Sequence, residues 1–69
     1  MILRWTDRRD GLDHETPVDR VEFRPDGTVE GYRNVAVPST EYPHIASWQL
    51  VGVTQLEPGD VQGRVLVVE

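Results

Sequence analysis

Pro25-Asp26-Gly27 stands between two runs of β-forming residues, and it constrains the fold more than any other stretch. Proline pre-sets φ at the first corner of a type I turn, aspartate suits the second, and glycine then takes a positive φ without steric penalty. The stretch Val18–Asn34, VDRVEFRPDGTVEGYRN, is therefore predicted to be a β-hairpin with a short loop closed by a glycine bulge. Loop length sets register. Counting outward places Arg24 against Thr28, Phe23 against Val29, Glu22 against Glu30, Val21 against Gly31, Arg20 against Tyr32 and Asp19 against Arg33. One face carries Val21, Phe23 and Val29, with Gly31 leaving room for a large side chain from elsewhere. The other carries Arg20, Arg24, Glu22, Glu30 and Tyr32, a mixed charge ladder whose cross-strand pairs contribute about 0.2–1 kcal/mol each. That face reads as the wet side of a sheet.

The rest of the chain is organised around this hairpin. Met1–Thr6 alternates weakly and reads as a first strand, with Trp5 expected in the core. Asp7–Pro17, DRRDGLDHETP, has neither helical period nor alternation, and Asp10-Gly11 and Thr16-Pro17 are breakers, so a long charged loop is expected. Val35-Ala36-Val37 extends the second hairpin strand until Pro38 removes a backbone donor. In the connection Pro38–Ser47, Ser39 or Thr40 caps at most one short helical turn, because Pro43 limits it. Trp48–Gln55 and Val61–Val68 read as the last two strands, joined by a type II turn at Pro58-Gly59. Pairing across that turn sets Leu56 against Val61, Gly52 against Val65, Leu50 against Val67 and Trp48 against Glu69, and on the other face Val53 against Arg64, Val51 against Leu66 and Gln49 against Val68. The run Val65–Val68 is apolar on both faces, as in a central strand or an oligomer interface.

Size narrows the possibilities further. Sixty-nine residues form one domain, spanning 1–69, and bury only about 60% of the surface exposed by the unfolded chain. No cysteine is present, so neither disulfides nor thiolate metal sites reinforce the core. Self-association or a partner is then expected to supply part of the stability. All seven basic residues are arginine, which points to a high-GC coding sequence, and the net charge is −5. An acidic chain without a basic run is a poor nucleic-acid or anionic-membrane binder. No apolar run reaches the roughly 20 residues of a membrane span. No signal peptide is recognisable, so a cytoplasmic location is expected, in a host or virion if the gene is viral.

Chemistry-bearing patterns are sparse. Ser39 and Ser47 lack a glycine elbow, and nothing in the spacing of His14 and His44 ties either to a serine or an acid. No phosphate-binding glycine loop occurs. Asp10, Asp13, His14 and Glu15 offer ligand atoms in one cluster, but acidic residues spaced by three fail the calcium-loop pattern, and pairing with Arg8 and Arg9 is the simpler reading. No catalytic group, metal or cofactor is assigned.

Five short strands with a long first loop suggest an all-β fold: a small five-stranded antiparallel barrel or roll, SH3-like or OB-like in outline, built from two hairpins. A curled sheet that dimerises through its last hairpin competes with it. The expected function is a non-enzymatic protein-interaction or assembly module, with a homo-oligomer, most simply a dimer, as its form. Size and arginine bias fit a viral accessory or structural protein. Two alternatives stay open: an acidic inhibitor of a host enzyme or nucleic-acid-binding protein, and a weak single-stranded nucleic-acid binder using Tyr32, Arg20 and Arg24. Candidate interaction residues are Val65, Leu66 and Val68 on the last strand, Tyr42 and His44 in the second connection, and Arg8 and Arg9 in the first loop.

Overall fold

The computed structural model describes residues Met1–Glu69 and is all-β, in two antiparallel three-stranded sheets. Strands β1 (Ile2–Asp7), β2 (Asp13–Pro17) and β6 (Val61–Val68) form one sheet in the order β2-β1-β6. Strands β3 (Arg20–Phe23), β4 (Val29–Pro38) and β5 (Ala46–Leu56) form the other in the order β3-β4-β5. The sheets do not close into a barrel, and there are six strands where five were expected.

The first hairpin forms in the expected register, with Arg20 opposite Tyr32, Val21 opposite Gly31, Glu22 opposite Glu30 and Phe23 opposite Val29. Arg24 closes the loop by donating its N–H to the Thr28 carbonyl (2.9 Å), and Gly27 takes φ +93°. The Asp26 carboxylate accepts the Thr28 N–H at 2.8 Å, so the aspartate holds the turn through its side chain as well as its backbone. The space above Gly31 is filled by Val18 and Leu3. A Cβ added there would lie 2.8 Å from Val18 Cγ1 and 3.3 Å from Leu3 Cδ2. Leu3, Val18, Val29, Leu56 and Val61 make the core, with Trp5, Val21 and Val65 packed at its margin. Phe23, expected beside Val21 and Val29, lies outside this cluster and is exposed. Trp5, expected in the core, is half-buried at its margin, with its ring stacked on His14.

Two expectations fail on connectivity. The segment Asp7–Pro17 is not a continuous loop: Asp7 to Leu12 turn tightly, and Asp13–Pro17 forms β2, paired with β1 from Ile2–Pro17 to Thr6–Asp13. Its charged residues face solvent on an edge strand, where Arg4 meets Glu15 (3.1 Å) and Thr6 bonds Asp13 (2.6 Å). Tertiary pairing overrides the weak β-propensity of Asp, His and Glu. The last two strands, in turn, do not pair with each other. Pro58–Asp60 is a 3-10 turn rather than a hairpin loop, with the Asp60 N–H bonded to the Glu57 carbonyl at 3.0 Å. The chain leaves the second sheet at Leu56 and enters the first at Val61, and both residues are buried at this corner. β5 pairs along its length with β4, and β6 pairs with β1. The register counted across Pro58-Gly59 therefore does not exist, nor does a last hairpin through which the chain could dimerise. β6 is an edge strand, not a central one.

The consequence is an elongated molecule, 45 × 24 × 23 Å, with a radius of gyration of 14.8 Å. A compact chain of this length has a radius of about 11 Å. The excess length is an arm: the distal halves of β4 and β5, from Asn34 to Pro38 and from Ala46 to Leu50, run beyond the core as a two-stranded ribbon capped by residues 39–45. No helix is long and apolar enough to cross a membrane.

Candidate interaction surfaces

The arm is the least self-contained part of the molecule. Its register runs from Asn34–Leu50 through Val35–Gln49, Ala36–Trp48 and Val37–Ser47 to Pro38–Ala46. Between Gly31–Thr54 and Tyr32–Gly52 the register slips by one residue on β5, leaving Val53 unpaired. This bulge reverses which face each β5 side chain takes beyond it. Leu56 and Thr54 share the core face with Val29 and Gly31, but Leu50 and Trp48 turn to the opposite face with Tyr32, Asn34 and Ala36. Trp48 is 74% exposed and Leu50 is 42% exposed. Val51 joins Val35 and Val37 on the face that continues the core, where no other strand lies beneath them. Both faces of the arm are thus apolar in part. Glu41 is the only charged residue between Asn34 and Leu56, and it sits at the tip. That depletion was readable in the amino-acid sequence; the hairpin expected between β5 and β6 concealed it by giving Trp48, Leu50 and Val51 other partners.

The tip is ordered by its own bonds. Ser39 Oγ accepts the N–H groups of Glu41 (3.3 Å) and Tyr42 (3.1 Å), and the Ser39 N–H donates to the Ile45 carbonyl (2.9 Å). Ser39 caps a turn, as expected, but no helix follows. Tyr42 and His44 meet edge to face with ring centroids 6.3 Å apart, and Tyr42 and Ile45 are exposed.

The remaining candidate residues lie elsewhere. Leu66 and Val68 are exposed on β6, and Val65 is half-buried against the core. Arg8 is committed to the fold: its N–H donates to the Asp60 carbonyl (3.0 Å) and its guanidinium to the Val61 carbonyl (3.2 Å), tying the first turn to the corner before β6. Arg9 pairs loosely with Asp7 at 3.7 Å. The seven residues therefore fall in three places: the arm tip, the outer strand of the first sheet, and the turn after β1.

The four sheet edges differ in protection. β2 is charged and ends in proline, and β3 spans four residues with Arg20 and Glu22 among them. β6 carries Arg64 and a bulge opposite Trp5, where Gly63 takes φ +80°. β5 is the longest strand, 11 residues, and has no charge and no proline. Charges, prolines and bulges are what keep an edge from accepting another strand. On β5 the one irregularity sits at the body end, so Ala46–Gly52 offers a regular, unguarded edge.

The hairpin's wet face is a closed network. Arg20 contacts Glu22 at 2.6 Å, Arg24 contacts Glu30 at 3.0 Å, and the Tyr32 hydroxyl donates to Glu30. That hydroxyl, with Arg24 beside it, holds the Glu30 carboxyl below the usual range, while Glu30 pushes the Tyr32 hydroxyl up. Both arginines have carboxylate partners on this face. Beside Trp5, a shallow cleft of about 520 Å³ is lined by Arg4, Asp13, His14, Glu15 and Arg64 among others. Asp7, Asp10 and His14 each present a ligand atom within 4.8 Å of the others, a grouping that differs from the expected Asp10, Asp13, His14 and Glu15. Their atoms are engaged in the turn: Asp7 accepts the Arg9 N–H (2.8 Å), and Asp10 accepts the Leu12 N–H (2.9 Å) and contacts His14 Nε2 (2.9 Å). The Leu12 N–H, followed by His14, keeps the Asp10 carboxyl low. These bonds account for the cluster as turn structure.

No family model, curated protein or solved structure matches the chain.

Proposed function

We propose that the chain is a non-enzymatic protein-interaction module that works as a self-associated assembly unit. One observation carries this reading: the β4–β5 arm presents apolar side chains on both faces with no core beneath it. A two-stranded ribbon is marginal in water on its own, and contiguous exposed apolar surface marks interaction sites. Surface area supports the same reading. A folded monomer of 7.9 kDa is expected to expose about 4,400 Å². This chain exposes 5206 Å², an excess of about 800 Å², and a standard interface buries about 800 Å² per partner.

Light scattering coupled to size exclusion, over low to high micromolar concentration, tests the proposal. The expected mass is a multiple of 7.9 kDa at the upper end. A constant single-chain mass contradicts self-association. Stoichiometric capture of a host enzyme by that monomer would then favour the inhibitor reading instead.

A further inference from the structure

We propose that two copies join edge to edge through β5, antiparallel about a two-fold axis at Gln49, so that two three-stranded sheets become one six-stranded sheet. The inference rests on the self-association reading and names its surface and partner.

Three observations select this edge and this occupant. First, β5 is the only one of the four outer strands without a charge or proline to block another strand. Second, a second copy suits it electrostatically. Each chain carries −5, but only Glu41 lies in the span from Asn34 to Leu56, so −4 resides outside it. Two arms lying side by side in opposite directions keep the acidic bodies at opposite ends, where screening at physiological salt acts over about 8 Å. Any docking of body on body brings like charges together. Third, the side chains match in this register. An axis at Gln49 sets Trp48 against the partner's Leu50 and Leu50 against the partner's Trp48, both on the face they already share. Ala46 meets the partner's Gly52, and the two Gln49 amides face each other, each able to donate to and accept from its twin. Moving the axis to Val51 would set Trp48 against Thr54 and Leu50 against Gly52, and would run the pairing into the bulge at Val53. Directly opposed aromatic and aliphatic residues are the pairs that stabilise antiparallel strands, and a two-fold contact satisfies both copies at once.

The absence of native cysteine makes the geometry directly testable. Residues directly opposed in antiparallel strands have Cα atoms about 4.5–5.5 Å apart, inside the range of about 4.4–6.8 Å that a disulfide spans. Under mild oxidation the Gln49→Cys chain is expected to convert largely to a covalent dimer. Ser47→Cys is expected to remain uncrosslinked alone, because its own copies lie about 13 Å apart, four residues of strand. Mixed with Val51→Cys it should crosslink, since Ser47 opposes the partner's Val51. Trp48→Lys with Leu50→Lys in the Gln49→Cys background should abolish the covalent dimer; both side chains are exposed, so the fold read by circular dichroism should persist. If Leu66→Cys on β6 crosslinks while Gln49→Cys does not, and scattering still gives a dimer, the β5 assignment is overturned and self-association stands. If neither crosslinks and the mass is that of one chain, both fall.

Discussion

Replacing Gly31 with alanine tests the packing on which both sheets depend. Gly31 lies in β4 at an ordinary extended geometry, so substitution brings no backbone strain. In such a position alanine is ordinarily favourable, because glycine loses more chain entropy on folding, by about 0.5–1 kcal/mol. Here the added Cβ would meet Val18 Cγ1 at 2.8 Å and Leu3 Cδ2 at 3.3 Å. Leu3 is fully buried and Val18 nearly so, and neither can swing into solvent. Overpacking a filled core costs about 1–3 kcal/mol, which outweighs the entropic gain. For a domain of this size each kcal/mol moves Tm by about 4–8 °C, so a fall of several degrees is expected at fixed protein concentration. Val18→Ala removes the clashing methyls and is itself destabilising by cavity formation. The double variant should nonetheless be more stable than the sum of the two single losses predicts, a coupling that a thermal or urea double-mutant cycle measures. A Gly31→Ala protein as stable as the parent, or additive losses in the double variant, would refute the contact between Gly31, Val18 and Leu3.

Other consequences follow from the polar clusters. The depressed Glu30 carboxyl is held first by the Tyr32 hydroxyl and then by Arg24. Its contribution to stability is present above the ordinary carboxylate range and is lost as pH falls through the depressed folded value. Tyr32→Phe should move the Glu30 titration back toward the ordinary value by NMR; an unmoved titration contradicts the hydroxyl's role. Asp26 follows the same sign through the Thr28 N–H, so acid should loosen the first hairpin turn as these groups protonate, visible as faster amide exchange at Thr28. Calcium or zinc should leave Tm unchanged, since Asp7, Asp10 and His14 are engaged in the turn. A ligand at a hundred times its Kd stabilises by about 2.7 kcal/mol, so a clear rise in Tm would contradict that assignment.

What was legible in the sequence was local, and what was missed was tertiary. Pro25-Asp26-Gly27 dictates its own turn, and counting from it reached Gly31 and the space that Leu3 and Val18 fill. Asp13–Pro17 has little intrinsic strand preference, so its residues indicate a loop; only the neighbouring β1 makes it a strand. Pro58-Gly59 looked like a hairpin turn because the same residues suit a 3-10 corner, and nothing local distinguishes a chain that doubles back from one that crosses to another sheet. A hairpin there would give β5 partners that it lacks. The bulge at Val53, which turns Trp48 and Leu50 to the far face, arises from pairing with β4; its one local mark is Gly52 beside it, an isolated glycine within a strand. Of the candidate interaction residues, Tyr42 and His44 do stand at an exposed tip, Leu66 and Val68 on an outer strand, and Arg8 proves to be a structural tie.

The most direct test of the account is sedimentation equilibrium of the parent chain beside Trp48→Lys/Leu50→Lys. The account predicts a dimer for the parent and a 7.9 kDa species for the variant at the same concentration, with the β-sheet spectrum retained in both. Equal masses for the two proteins would show that the arm does not hold copies together.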